Sequence, residues 1–454
     1  MTTQLLSPAD DVTVYPATIG GLVDVPGDKS LSHRALLFGA LADGTTKVTG
    51  LADSGDVRAT ADALRRMGVD VALAFTDGAG AGTIAGTIAE PHDIIDCGNS
   101  GTSLRLLSGI AAGIEGLTIM TGDASLRRRP VDRVRVPLEQ MGAQVWARQH
   151  RLPPVAIRGG RLRALTYHSP VASAQVKSCL LFAGFAADGR TTVISPARSR
   201  DHTERLFGYL GHPVDAGEDS HGREVVTITP GQLRPDPIDV CRDPSSAAFW
   251  LVAAIIGGDA VTARTICINT TRTGFVRVLE DMGATFEITN AHERAGEPAA
   301  DVTAHPSALT GGGLSGSAVV DAIDELPILA LAGALSANGL TVRDAAELRV
   351  KESDRIATLA RLFAALDMRL TEFDDGFSVE GGQRPQAGTV DAAGDHRIAM
   401  TAAIAATVAT GPVRITGFAA VASSYPTFEQ DLRRLGGRID VAAGSYAGDR
   451  EQQR

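Results

Sequence analysis

Lysine is scarce in this chain. Four lysines, Lys29, Lys47, Lys177 and Lys351, stand against thirty-nine arginines. Arginine already serves for solubility, so a lysine marks a place where a compact ammonium with movable donors and a tunable pKa is wanted for itself. Three of the four fall in segments that other features single out. Six short polar stretches each precede an apolar helical pattern: Gly27-Asp-Lys-Ser-Leu-Ser-His-Arg34, Cys97-Gly-Asn-Ser-Gly-Thr102, Ser173-Ala-Gln-Val-Lys177, Asp243-Pro-Ser-Ser246, Asp324-Glu-Leu-Pro327 and Gly394-Asp-His-Arg397. Ser, Asp and Asn at such places cap helices, and for Asp243, Ser245 and Ser246 capping is a sufficient account. Lys29, Arg34 and Arg397 are different, because a cation in a first helical turn opposes the helix dipole. Cations gather there to good effect when an anion binds the same ends, where free N–H groups already favour it.

A second set of loops adds arginine: Arg127-Arg-Arg-Pro130, Arg198-Ser-Arg-Asp-His202, Thr271-Arg-Thr-Gly274 and the run from Glu347 to Arg355. Arginine in the same loop of successive repeats points to a functional rim. Two carboxylates stand among these cations. Asp324 reads either as a helix cap or as a general base, and Glu352, beside Lys351, either as an ion-pair partner or as a general acid. There is no Walker loop, no HExxH and no defensible Ser-His-Asp order. The four cysteines, Cys97, Cys179, Cys241 and Cys267, have no CxxC spacing and suit reduced thiols rather than zinc. The pattern therefore points to a small polyanionic substrate handled without metal, cofactor or covalent nucleophile.

The elements that must carry these residues form a repeat. A helical stretch ending in Gly or Asp and followed by a short strand recurs six times, roughly every 70 to 85 residues, at Leu64–Val71, Leu138–Val145, Leu206–Val214, Leu279–Phe286, Leu362–Leu370 and Leu432–Ile439. Gly there serves as a left-handed helix terminator. In the same rhythm run more apolar helices, over 31–41, 103–112, 176–186, 247–256, 326–335 and 398–408, expected to be buried. Each unit reads as β-α-β-α-β-β, and six units divide into two domains of three. The expected division is 1–24 with 244–454 against 25–243, with hinge crossings near 23–26 and 240–246. Residues before about Val23 pack elsewhere than in the first unit, and Met1–Asp10 and Gly444–Arg454 are expected to fray.

Length and composition agree. At 454 residues, with 44% apolar and 21% charged residues, the chain has ample core for two domains. No apolar run reaches the ~18 to 20 residues of a membrane span, and the start carries no secretion pattern, so a cytoplasmic protein is expected. A net charge of -10 disfavours nucleic acid as a partner.

The quoted segments also resemble the signature of the 5-enolpyruvylshikimate-3-phosphate synthase family, in order and over nearly the whole chain: Asp28–Arg34, Gly98–Thr102, Arg129-Pro130, Ser173-Ala-Gln175, Asp324-Glu325, Arg349–Arg355 and Asp395-His-Arg397. The variants Ser173-Ala-Gln-Val-Lys and Arg200-Asp-His-Thr-Glu resemble the bacterial class II branch. The resemblance implies an α/β fold of two inside-out barrels, the enolpyruvyl transferase fold, that closes over substrate. It implies transfer of the enolpyruvyl group of phosphoenolpyruvate to the 5-hydroxyl of shikimate 3-phosphate by a cytoplasmic, monomeric enzyme with no cofactor. It assigns Lys29, Ser30, Arg34, Ser173, Ala174, Gln175, Arg200, Asp324 and Lys351 to shikimate 3-phosphate. Lys29, Gly101, Arg129, Gln175, Arg355 and Arg397 go to phosphoenolpyruvate, and Asp324, Glu352 and Lys29 to catalysis.

Three positions depart from the family pattern. Ala174 lacks a serine hydroxyl, Glu347 replaces Asn, and the last unit's loop, Ser423-Ser-Tyr-Pro426, lacks a Lys. The unsubstituted Gly101 implies sensitivity to glyphosate, which fills the phosphoenolpyruvate site in the family. The nearest rival reading, enolpyruvyl transfer to UDP-N-acetylglucosamine, calls for Lys-Asn at the first helix start and a catalytic cysteine; Cys97 is expected to be buried instead. RNA 3'-phosphate cyclase chemistry and a non-catalytic anion-binding protein are the remaining rivals.

Overall fold

The repeats share one plan, helices combined with a four-stranded sheet. The repeat that begins at Ile95–Asp96 continues through helix Gly101–Ala112, strand Gly116–Thr121, helix Asp132–Gln140 and strands Gln144–Arg148 and Leu152–Gly159. The computed structural model describes residues 11–76 and 78–441; the expected fraying of Met1–Asp10 and Gly444–Arg454 lies outside the described residues. The first two strands of the repeat pair in parallel, Ile95 opposite Met120, because the helix between them carries the chain back to the same edge. The last two form an antiparallel hairpin whose second strand, Leu152–Gly159, lies beside Gly116–Thr121. All six four-stranded sheets repeat this order of positions.

Three strands reach their sheets from elsewhere in the chain. Ile238–Asp239 supplies the parallel strand beside Thr45–Ala52. Gly21–Val23 does the same for Val261–Cys267. Asp11–Tyr15 lies between Val413–Thr416 and Arg438–Val441, antiparallel to both. The segment ahead of the first repeat thus completes the fourth and sixth.

The described chain forms two compact units. One comprises 11–25, 243–291 and 300–441, the other 26–242 and 292–299. The segment 292–299 departs from the expected division, which left it with 244–454. Its polar groups explain why it belongs with the second unit. Glu297 is buried and its Oε1 lies 2.7 Å from Nδ1 of His202, while the Gly296 carbonyl accepts from Arg205 Nη1 at 3.2 Å.

Within each unit the apolar helices are central and the sheets surround them. Helix Leu326–Leu335 is buried from its first residue to Ala334, and helices Pro244–Gly257 and His396–Val408 pack on it and on each other. In the other unit helix Gly101–Ala112 packs on Ala174–Phe185 and on Lys29–Leu41. The sheets alternate as this requires: in Thr45–Ala52, Thr46 and Val48 face inward while Thr45, Lys47 and Thr49 face water. The six amphipathic helices, such as Gly55–Arg66, end as the repeat pattern predicts. Gly68, Gly142, Gly211, Gly283 and Gly436 have φ between 86° and 107°, and Asp367 replaces Gly at φ 56°. A left-handed residue turns the chain from helix to strand in every copy.

Candidate active site

Five of the six central helices begin with a side chain capping the backbone. Asp28 accepts from Leu31 N, Ser100 from Ser103 N, Ser173 from Val176 N, Asp243 from Ser245 N and Asp395 from Arg397 N. Helix Leu326–Leu335 is the exception. Its cap position is Glu325, which makes no side-chain cap, and Asp324 precedes it. The cap position thus falls at Glu325 rather than at Asp324. The Asp324 carboxylate faces cations: Lys351 Nζ and Arg355 Nη1 each lie 3.5 Å from Oδ1, and Arg397 Nη2 lies 3.9 Å from Oδ2. It remains 14% exposed, enough to meet a ligand.

Arg355 organises the rest of this cluster. Buried at the start of helix Arg355–Ala365, it donates through Nε to Asp395 Oδ2 at 2.8 Å and through Nη2 to Glu352 Oε2. Burial alone would lower its pKa, but Asp395, Glu352 and Asp324 outweigh that and raise it. Asp395 shows the reverse balance. Burial pushes its pKa up, yet Arg355 and His396 draw it below the ordinary carboxylate value. Glu352 is 19% exposed beside this permanent cation. Arg397 Nη1 donates to the Asp324 carbonyl at 2.7 Å. In the loop without the expected Lys, Ser423 Oγ approaches His396 Nδ1 at 3.2 Å. Tyr425 turns into the core, accepting from Trp250 Nε1 and donating to Asp431.

The other unit carries the second cluster. Lys29, first residue of helix Lys29–Leu41, pairs with Asp56 at 3.0 Å. Arg34 is buried one turn on, donating to the Ser30 carbonyl, Thr203 Oγ1 and Ser178 Oγ at 2.7 to 2.9 Å. Burial lowers the Arg34 pKa to about 10, with the Arg200 charge adding to the fall. His33, buried beside Lys29 and Arg34, is pushed well below its ordinary value, first by burial and then by these two cations. It meets Thr60 Oγ1 at 2.7 Å, and Thr60 meets Ser103 at 2.6 Å. This polar path links the first helix start to the second.

Around Gly101 a further group converges. Of Arg127, Arg128 and Arg129, only Arg129 is buried, donating to the Asn99 carbonyl, Asn99 Oδ1 and Ser125 Oγ. Gln175 Oε1 accepts from Arg105 Nη1 at 2.8 Å, and Gln175 Nε2 donates to Thr102 Oγ1 at 3.0 Å. Ala174 opens the helix next to the capping Ser173 and offers no polar side chain. The structure thus gathers Lys29, Ser30, Arg34 and Arg200 in one group, Gly101, Arg129 and Gln175 in another, and Asp324, Lys351, Glu352, Arg355 and Arg397 in the other unit. Sequence reasoning missed Arg105, although a charged residue inside an otherwise apolar buried helix was a signal. It also gave no role to Asn99, Arg272 or Glu325.

Two other expectations resolve here. Lys177 sits between Glu204 at 2.6 Å and Glu224 at 2.7 Å with no exposure, so it is a buried structural cation. Cys97 is buried, and burial first, then Asp96 and Asp56, push its thiol up to about 12. A thiolate there is disfavoured, against the rival reading that needs a reactive cysteine.

Comparison with known proteins bears on the whole chain. The family profile described as EPSP synthase (3-phosphoshikimate 1-carboxyvinyltransferase) matches residues 15–432. A 3-phosphoshikimate 1-carboxyvinyltransferase of Acaryochloris marina (strain MBIC 11017) is 45% identical over 445 residues, spanning 94% of this chain and 99% of its own. One from Anaeromyxobacter sp. (strain Fw109-5) is 47% identical over 411 residues, spanning 90% and 94%. A 2.37 Å structure of EPSP synthase from Acinetobacter baumannii matches with a TM-score of 0.83 at 39% identity, covering 95% of this chain and 99% of that one. The enolpyruvyl transferase of Streptomyces tendae, at 18% identity and a TM-score of 0.74 over 95% of this chain and 99% of its own, shares the fold. With its helix-start cations, an Asp324 faced by three cations and a match that runs from the first strand to the last amphipathic helix, this chain belongs to the EPSP synthase (3-phosphoshikimate 1-carboxyvinyltransferase) family.

Proposed function

We infer that the chain transfers the enolpyruvyl group of phosphoenolpyruvate to the 5-hydroxyl of shikimate 3-phosphate, releasing phosphate, as a step of aromatic amino acid biosynthesis. The observation that carries this reading is the Asp324 carboxylate, partly exposed and faced by Lys351, Arg355 and Arg397. Lys29, Ser30, Arg34, Ser173, Ala174, Gln175, Arg200, Asp324 and Lys351 are assigned to shikimate 3-phosphate. The Ser173 oxygen accepts the Val176 N–H as a cap, which leaves its O–H to donate to a phosphate, and Ala174 can offer only its backbone. Lys29, Gly101, Arg129, Gln175, Arg355 and Arg397 are assigned to phosphoenolpyruvate, whose phosphate and carboxylate suit guanidinium forks.

In the reaction, Asp324 takes the proton of the 5-hydroxyl while its oxygen attacks C2 of phosphoenolpyruvate. Glu352 delivers a proton to C3, giving a tetrahedral ketal; phosphate then leaves as a C3 proton returns to Glu352 and Asp324 passes the hydroxyl proton to the departing phosphate. Glu352 meets Arg355 Nη2 at 2.5 Å, so the acid and a guanidinium assigned to the donor are neighbours. Lys29, which pairs with Asp56 at 3.0 Å, is assigned to stabilise developing negative charge. A monomeric, cytoplasmic enzyme fits this small-molecule chemistry, and glyphosate is expected to compete with phosphoenolpyruvate.

Phosphate release tests the reading. It should appear with phosphoenolpyruvate and shikimate 3-phosphate and not with phosphoenolpyruvate and UDP-N-acetylglucosamine. The opposite preference would overturn it. Near-normal turnover by Glu352→Gln would remove the acid role while leaving the activity.

A further inference from the structure

Glu325 has no part in the roles above, yet it is a buried carboxylate, 1% exposed, at a helix start where it makes no cap. Its Oε1 accepts a short hydrogen bond from Ser245 Oγ, on the neighbouring central helix. Ser245 Oγ accepts from Arg272 Nη2 at 3.1 Å, and the same nitrogen donates to Asp243 Oδ1 at 2.9 Å. Arg272 is itself buried. The direction of this chain is fixed by chemistry: a guanidinium can only donate, so the Ser245 proton points at Glu325. On its other side Glu325 Oε1 lies 3.6 Å from Arg397 Nη1, the nitrogen that donates to the Asp324 carbonyl. A charged carboxylate is costly to bury unless paired, and Arg397 is a cation that Glu325 faces.

We propose that Glu325, locked from behind by Ser245 and Arg272, is a positioning residue that holds the Arg397 guanidinium at the Asp324 carbonyl and keeps it from closing further on the Asp324 carboxylate, 3.9 Å away. Arg397 then presents its free N–H groups to the anionic donor. The proposal rests on the assignment of Arg397 to phosphoenolpyruvate. Without the Glu325 charge, the nearest carboxylate left to Arg397 is Asp324, 3.9 Å away. A closer pair there would both withdraw the guanidinium from the donor and make Asp324 a weaker base.

The test is steady-state kinetics on Glu325→Gln, Ser245→Ala, Arg397→Met and the Glu325→Gln/Arg397→Met double variant. Glu325→Gln should raise KM for phosphoenolpyruvate roughly tenfold while KM for shikimate 3-phosphate stays within about twofold, and should move the acidic limb of the kcat profile to lower pH. Ser245→Ala should show the same pattern more weakly, and it decides the matter if Glu325→Gln does not fold. In the Arg397→Met background Glu325→Gln should add nothing to the donor KM. Equal losses for both substrates with an unmoved pH profile, or full additivity in the double variant, would overturn the proposal. If Arg397→Met alone leaves the donor KM unchanged, the assignment of Arg397 fails; a silent Glu325→Gln beside a damaged Arg397→Met defeats only the role given to Glu325.

Discussion

At the scale of single residues, chemistry and strain are separable. Asp324→Asn keeps shape and removes the proton acceptor, so kcat should fall roughly 10²- to 10⁴-fold with little change in thermal unfolding. A large shift in melting temperature instead would make Asp324 a structural ion-pair residue. Gly101→Ala is a matter of space. A Cβ there would lie 2.8 Å from Arg105 Nη1, so that guanidinium must give way, and 3.6 Å from Arg129 Nη1, an ordinary contact that fills space beside it. Inhibition by glyphosate is expected to weaken by roughly tenfold or more, and KM for phosphoenolpyruvate to rise by less; equal factors would refute this. His33 supplies a pH signature. Its folded-state pKa lies below the unfolded value near 6.5, so the unfolded chain binds the extra proton first. Stability is then full above that value and falls as pH drops below it, by up to about 1.4 kcal/mol per unit until the folded-state pKa is reached. Melting curves from pH 7.5 to 5.5 should slope accordingly, and His33→Asn should flatten that part of the slope.

At the scale of elements, the apolar helices and their terminators were legible because their causes are local. A run such as Leu326–Leu335 can only be buried, and a Gly after an amphipathic helix is a terminator wherever the chain goes next. The helix beginnings were read about two residues short in several copies, as at Lys29, Gly101 and Ala174, because polar first turns do not continue the apolar pattern. The two-residue strands Ile95–Asp96 and Ile238–Asp239 carry no periodicity of their own. Their existence is decided by the neighbour they pair with. Asp395 joins two elements, capping one helix through the Arg397 N–H and pairing with Arg355 at the start of another. Asp395→Ala leaves a buried guanidinium short of a partner and should cost about 3–5 kcal/mol, read as a lower urea midpoint with unchanged slope. Its lowered pKa means this contribution holds at neutral pH and is lost only as pH falls through the folded-state value, below the usual carboxylate range.

At the scale of the molecule, six repeats are not six independent modules. The strand Asp11–Tyr15 lies inside the sheet of the last repeat, between Val413–Thr416 and Arg438–Val441. A chain beginning at residue 17 would leave both neighbours with unpaired backbone groups facing the gap. Its unit should unfold at markedly lower temperature, while the unit holding 26–242 keeps its own transition; calorimetry with two resolved transitions, only one displaced, is the expected result. A single unaltered transition would show the strand to be dispensable. What the sequence by itself determined was the six-fold repeat, the buried helices, the cationic helix starts and the family they resemble, since each depends on residues near one another in the chain. Only tertiary structure decided that Asp324 faces Lys351, Arg355 and Arg397, that Lys177 is buried between two glutamates, that Arg105 reaches Gln175 and Glu325 reaches Arg397, and that early strands complete late sheets. Those outcomes turn on which distant groups share a desolvated space, and there the energy of a charge or an unpaired amide depends on its neighbours rather than on its place in the sequence.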